Sequence, residues 1–150
     1  MEIITQNGNK NLTIKAAGFQ DAINLKKAVA KCMLDAGVVK NLELQGLKLV
    51  NLIDKIAELL FSAEMSDDFN KAVFECLKYS CIEENGIKNK ITPQLFDEKP
   101  ELREDYYEIV SKCVEVNLSP FFKSLVTEFK TRFNQIAKDQ PSELQQDKKE

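Results

Sequence analysis

The first part of the chain alternates apolar and polar residues in the manner of a β-hairpin. The isoleucines at positions 3 and 4 precede Asn7-Gly8, a dipeptide that favours a tight turn because both residues tolerate positive φ angles. Leu12 and Ile14 then alternate with polar neighbours, which is typical of a half-buried strand. Because an isolated hairpin is only marginally stable in water, we expect it to pack against a helix.

From Phe19 onward the apolar residues recur at helical spacing. The face of the first helix that is predicted to be buried consists of Phe19, Ala22, Ile23, Val29, Ala30, Met33 and Leu34. Polar caps, early carboxylates and N-terminal prolines mark later helix starts. These signals predict a helix over residues 47–63 and a short helical turn that begins at Thr92-Pro93. They also predict that further helices begin at Ser66, at Pro100 and at Ser119-Pro120. Residues 38–46 are expected to form a loop, and residues 83–90 a polar connection.

These features together predict a mainly α fold (α+β), namely a bundle of about five helices with an N-terminal β-hairpin and a disordered C-terminal tail. We expect residues 1–137 to form a single helical domain, because the chain has no internal repeat and its helical faces need one another. Residues 138–150 are polar and interrupted by a proline, so they are predicted to be the disordered tail.

The composition is that of a globular protein and argues against two classes of partner. Of the 150 residues 43% are hydrophobic, and the formal net charge is -3. Lys and Arg are scattered among Asp and Glu, so no cationic cluster is visible that would neutralise phosphates, and we expect no nucleic-acid binding. The sequence contains no apolar run of membrane-spanning length and no secretory signal, so we expect no membrane binding and a cytoplasmic location.

The chain offers little for catalysis. It contains no histidine, which removes the commonest metal ligand and the usual proton shuttle near neutral pH. The spacing of Cys32, Cys76, Cys81 and Cys113 does not suit a zinc site, and buried thiols are the favoured interpretation. Acidic pairs such as Glu104-Asp105 fall on predicted solvent faces. We therefore expect no enzyme, with no catalytic residues, no metal site and no cofactor.

The predicted last helix carries a narrow aromatic stripe that admits two interpretations. The stripe consists of Phe122, Leu125, Val126, Phe129, Phe133 and Ile136. Such residues most often form a core. A narrow stripe near a chain end also suits a groove on another protein, where a few aromatic side chains supply most of the binding energy. The most acidic surface is predicted on the preceding helix, at Glu104, Asp105 and Glu108.

Several segments carry a family resemblance. These are LREDYYEI at residues 102–109, VNLSPFFKSL at 116–125, LTIKAAGFQDAINLKKAVAKCML at 12–34 and FNKAVFECLKYSC at 69–81. The chain is similar in these segments to the tail assembly chaperones of long-tailed bacteriophages and prophages, over roughly residues 10–125. The shared features are packing and capping patterns, and the resemblance transfers no catalytic residues.

The resemblance implies a transient role in the bacterial host cytoplasm. Such chaperones cover the long, aggregation-prone tape measure protein, help recruit tail tube subunits and are absent from the finished virion. In many of these phages a ribosomal frameshift yields a longer form, and this chain resembles the short form. The expected partners are therefore the tape measure protein and the tail tube protein. Many weak contacts along one client would also suit self-association of this chain.

We therefore expect two sets of partner-binding residues. The apolar set is Phe121, Phe122, Leu125, Phe129 and Phe133, and the acidic set is Glu104, Asp105 and Glu108, which could meet basic client segments. Two alternatives stay open at this point. One is a small structural tail-completion or connector protein that remains in the virion, and the other is a helical protein-binding regulator.

Overall fold

The computed structural model describes residues 2–35, 48–60, 67–127 and 131. Its strands and α-helices are β1 (Glu2–Asn7), β2 (Lys10–Lys15), α1 (Phe19–Asp35), α2 (Leu49–Leu60), α3 (Asp67–Cys76), β3 (Cys81–Glu84), β4 (Ile87–Lys90), α4 (Pro93–Glu98) and α5 (Tyr106–Leu118). Short 3-10 helices cover Leu77–Tyr79, Pro100–Asp105 and Ser119–Phe121, and residues 122–127 are helical. The mainly helical fold with an N-terminal hairpin is confirmed. The predicted loop over residues 38–46 and the predicted tail over 138–150 lie outside the described residues.

The four described strands form one antiparallel sheet in the order β1-β2-β3-β4. Asn7 pairs with Lys10, so the first turn is Gly8-Asn9, one residue later than predicted. Gly8 has φ 64°, and glycine at the first turn position is typical of a tight two-residue hairpin turn. Leu12 and Ile14 are buried on the inner face, as the alternating pattern predicts.

The second hairpin corrects the prediction of a polar connection over residues 83–90. Asn85 and Gly86 both adopt positive φ, at 53° and 78°, and form the turn between β3 and β4. Leu12 pairs with Ile82, which places β3 beside β2. The sequence of this hairpin lacks the apolar alternation that indicates strands, because Ile82 is its one buried residue and Ile87 is 63% exposed. β3 depends on pairing with β2 and β4 on pairing with β3, and a local pattern does not reveal these pairings.

Helix α5 lies at the centre of the fold and packs against α1, α2, α3 and β2. The largest fully buried side chains come from both sheet and helices: Phe69, Ile14, Leu25, Met33, Leu52, Leu77, Ile91, Leu102, Ile109 and Leu118. Except for Ala22, the buried apolar residues of the described segments form one connected hydrophobic core. Burial of this apolar surface is the main stabilising contribution to the fold.

Two buried polar side chains join the helices to the end of β2. The Asn117 Oδ1 atom accepts a hydrogen bond of 2.8 Å from the Ala17 backbone N–H, between β2 and α1. The Ser80 Oγ atom accepts one of 3.1 Å from the Lys15 N–H. Both side chains are at most 2% exposed. They satisfy backbone donors that the sheet ladder leaves unpaired, which is what burial of such groups requires.

The first helix begins at Phe19 as predicted, but the burial of Phe19 and the type of helix at Pro100 differ from the predictions. Phe19 is 72% exposed because it is the first residue of α1 and lies beyond the edge of the core, whereas Leu25, absent from the predicted face, is fully buried. Pro100 begins a 3-10 helix, and the α-helix starts only at Tyr106. The predicted cap at Thr92 is confirmed, because its side chain accepts from the Leu95 N–H at the start of α4.

Candidate protein-binding site

The predicted apolar set is only partly within the described residues. Phe121 and Phe122 are half-buried, and Phe122 packs against the core. Leu125 is fully buried, so in this conformation it contributes to the protein's own core. Phe129 and Phe133 lie outside the described residues. Of the described members of the apolar set, Phe121 is therefore the one that is neither fully buried nor packed against the core.

Phe121 has an exposed aromatic neighbour, Phe19, whose helical spacing predicts burial. The rings of Phe19 and Phe121 lie 6.2 Å apart, tilted by 53°. The Lys26 Nζ atom donates a 3.0 Å hydrogen bond to Ser124 Oγ and ties residues 122–127 to α1. The two phenylalanines form a small apolar surface, and its signal in the sequence was the position of Phe19 at a helix start.

The acidic set is less uniform than predicted. Glu104 is exposed and Glu108 is half-buried. Asp105 Oδ2 accepts a 3.1 Å hydrogen bond from Lys10 Nζ on β2. This bond raises the pKa of Lys10 above its ordinary value. Asp105 therefore holds the start of α5 against the sheet, and Glu104 is the most accessible of the three.

An aromatic cleft lies where α3, α4 and the start of α5 meet. Its volume is about 420 Å³, and its walls are Phe74, Pro93, Phe96, Arg103, Tyr106 and Tyr107. Successive rings contact one another: Phe74 and Phe96 at 6.1 Å, Phe96 and Tyr106 at 5.8 Å, Tyr106 and Tyr107 at 5.6 Å. Such tilted and edge-to-face pairs hold the rings in fixed positions. The cleft is therefore a preformed apolar surface.

Polar contacts fix two walls of the cleft. The Tyr106 hydroxyl donates a 2.7 Å hydrogen bond to Asn70 Oδ1, and burial, with a smaller contribution from Tyr107, raises the pKa of Tyr106. Arg103 Nε donates to the Phe96 carbonyl oxygen at 3.1 Å, and its guanidinium lies 3.5 Å from Asp97. Tyr106 therefore stays a neutral phenol, and the Arg103 charge is partly balanced.

Comparison with known proteins identifies the family. The family model described as phage tail assembly chaperone protein, TAC, matches residues 10–130. The chain belongs to this family. Comparisons with curated proteins and with solved structures gave no match. The matched range contains the aromatic cleft, the acidic set and the Phe19–Phe121 surface of this tail assembly chaperone.

Three of the four cysteine side chains of the chaperone are buried, as the sequence predicts. Cys32, Cys76 and Cys113 are buried and Cys81 is partly exposed; none of the four forms a disulfide bond. The Cys76 side chain and burial together raise the pKa of Cys113 well above its ordinary value, so its thiol stays protonated. Among the described residues, no group of three or more acidic or cysteine side chains is placed to hold a metal ion.

The described helices of the chaperone are short. None of them combines the length and apolar character needed to cross a membrane. The cleft was not predicted because Phe74, Phe96 and Tyr106 are far apart in sequence, and each falls on a helical face that reads as ordinary core. The partner-binding role of the predicted apolar and acidic sets stays a prediction.

Proposed function

We propose that this tail assembly chaperone binds the tape measure protein in the bacterial host cytoplasm, keeps it soluble and helps recruit tail tube subunits around it. It leaves before the virion is complete. The family supplies the general role, and the resemblance described above supplies the client. The observation that carries the proposal is the aromatic cleft between α3, α4 and α5, whose ring-lined walls can receive apolar side chains of a client.

The size and lining of the cleft suit one or two apolar side chains of a client helix. A volume of about 420 Å³ falls within the range of ligand pockets. Full burial of one leucine or phenylalanine contributes about 1.5–3 kcal/mol. A single such contact is weak, which suits a chaperone that must later be displaced. The Phe19–Phe121 surface would provide a second apolar contact.

Co-expression with the tape measure protein tests the proposal. We expect the wild-type chaperone to raise the soluble fraction of the client and to co-purify with it. Tyr107→Ala removes one wall of the cleft and should weaken co-purification about tenfold, as expected for loss of about 1.4 kcal/mol. Ile4→Ala is the control, because Ile4 is 68% exposed on β1 and lies outside the cleft. Equal co-purification of both variants would contradict a role for the cleft.

Mass spectrometry of purified virions tests the transient role. We expect the chaperone to be present in cells during assembly and absent from finished particles. Its stoichiometric presence in particles would favour the alternative of a structural tail-completion or connector protein.

A further inference from the structure

The outer face of the sheet carries a basic cavity that the scattered lysines of the sequence do not reveal. Its volume is about 450 Å³, and its lining residues are Lys15, Lys78, Tyr79, Ser80, Cys81, Lys88, Asn89 and Lys90. Four of these are lysines that come from β2, the 3-10 helix Leu77–Tyr79 and β4, so the fold brings them together. Tyr79 is 60% exposed beside them.

Two of the four lysines are available for a partner. Lys15 lies 3.9 Å from Glu2, and Lys78 pairs with Glu75. Within the described residues, Lys88 and Lys90 form no ion pair, and both are exposed. The residue opposite Lys88 in the sheet register, Glu83, is half-buried.

Two further exposed carboxylates, Glu101 and Glu104, lie on the other side of the sheet. Lys10 and Glu84 pair in register and lie on the same inner face as Leu12 and Ile82. Lys10 forms an ion pair with Asp105, and Glu84 forms one with Lys99. The segment 99–105, which these two ion pairs hold at its ends, therefore lies on the inner side of the sheet. Lys88 and Lys90 occupy the alternate register positions of β4 and therefore face the opposite side. The 3-10 helix Pro100–Asp105 carries Glu101 and Glu104, both exposed. The two charged surfaces are therefore too far apart to meet within one molecule.

The spacings of the two charged pairs match. Residues i and i+3 of a 3-10 helix lie on one side, about 6 Å apart along the axis, so Glu101 and Glu104 present two carboxylates side by side. Residues i and i+2 of a strand share a face, about 6.6 Å apart, so Lys88 and Lys90 present two ammonium groups side by side. A contact between copies would align two ion pairs at once.

We infer that the basic cavity at Lys88, Lys90 and Tyr79 binds the Glu101–Glu104 surface of a second copy of this chain. Because the two surfaces differ and lie on opposite sides, the contact is head-to-tail and leaves one surface of each kind free at the ends. Association therefore grows with protein concentration. The contact consists mainly of exposed charges, so it weakens as salt shortens the screening length below about 8 Å.

Sedimentation of the purified full-length chaperone without client tests this inference. We expect concentration-dependent association at low salt that is lost at high salt. Lys88→Glu with Lys90→Glu, or Glu101→Lys with Glu104→Lys, should weaken association roughly a hundredfold, because each places like charges together. A 1:1 mixture of the two double variants should restore it, because each altered surface then meets its opposite charge.

The control is Lys27→Glu with Lys31→Glu, which makes the same charge change on exposed positions of α1; we expect this variant to associate like wild type. Three results would overturn the inference: a wild-type protein that stays monomeric at low salt, association that survives the charge reversals, or a mixture that does not recover. The inference would also be overturned if the protein stays monomeric but binds a column of polyglutamate or DNA through Lys88 and Lys90. The cavity would then be a site for another polyanion.

Although an array would suit a long client, this test is independent of client binding. A monomeric chaperone that still solubilises the tape measure protein would refute the self-contact and leave the proposed function standing. A chaperone that associates with itself but fails to bind the client would refute the proposed function and leave the self-contact standing.

Discussion

Replacement of Asn117 by aspartate tests the reasoning about the buried polar contacts most stringently. The Asn117 amide accepts from the Ala17 N–H at 2.8 Å and donates to the Cys113 carbonyl oxygen at 2.8 Å, with 2% of the side chain exposed. In Asn117→Asp one carboxylate oxygen keeps the bond from Ala17. The other faces a carbonyl oxygen, to which an ionised carboxylate cannot donate. Only the protonated acid can replace the amide.

The magnitude follows from this geometry. Burial and the facing carbonyl both raise the pKa of the new carboxyl above its unfolded value of about 3.9. A raised folded pKa means that the native state holds its proton longer, so stability is lost as pH rises above about 4, by about 1.4 kcal/mol per pH unit until the folded pKa is passed. Groups this buried shift by about 3 units, so we expect a loss of about 4 kcal/mol at pH 7.

Urea unfolding of Asn117→Asp and wild type at pH 4, 5, 6 and 7 measures this effect as a difference in the free energy of unfolding. The control is Asn51→Asp on the exposed surface of α2, for which we expect a difference within about 0.5 kcal/mol at every pH. A pH-independent difference for Asn117→Asp, or full stability at pH 7, would refute the claim that the amide bridges the two backbone groups.

Three further changes test local features of the fold. Thr92→Ala removes the cap that accepts from the Leu95 N–H and should lower the free energy of unfolding by about 1 kcal/mol in urea titrations, with no effect refuting the cap. Gly86→Ala places a side chain at φ 78° in the second hairpin turn and should cost about 1–2 kcal/mol by the same assay; unchanged stability would contradict the turn. In the native protein iodoacetamide should modify Cys81 first and Cys113 only after denaturation, as read by intact-mass spectrometry, and prompt reaction of Cys113 would contradict its burial.

The parts of the fold that local patterns encode were predictable. Leu12 and Ile14 alternate with polar residues and indicate β2, and Thr92 before Pro93 indicates the start of α4. Helical periodicity indicated α1, α3 and α5, because each buries an apolar face against the same core. It also indicated α2, whose Leu52 is fully buried. The family segments over residues 10–125 agree closely with the matched range of 10–130.

The parts that depend on contacts between distant residues were not predictable. The strands β3 and β4 contain mostly polar residues, so their local pattern indicates a loop. Pairing of β3 with β2, and of β4 with β3, stabilises them. Phe19 has a helical spacing that indicates burial, yet its place at the helix start leaves it exposed. The aromatic cleft combines α3, α4 and α5, and the basic cavity combines β2, β4 and a 3-10 helix. Only the tertiary fold places these side chains together.

The most direct test of client binding is a chemical-shift map of the isotope-labelled chaperone titrated with a helical fragment of the tape measure protein. We expect the largest shifts at the cleft residues Phe74, Phe96, Tyr106 and Tyr107, with smaller shifts at Phe19. Saturable binding with shifts confined to surfaces away from the cleft, or no binding to any client fragment, would contradict this expectation.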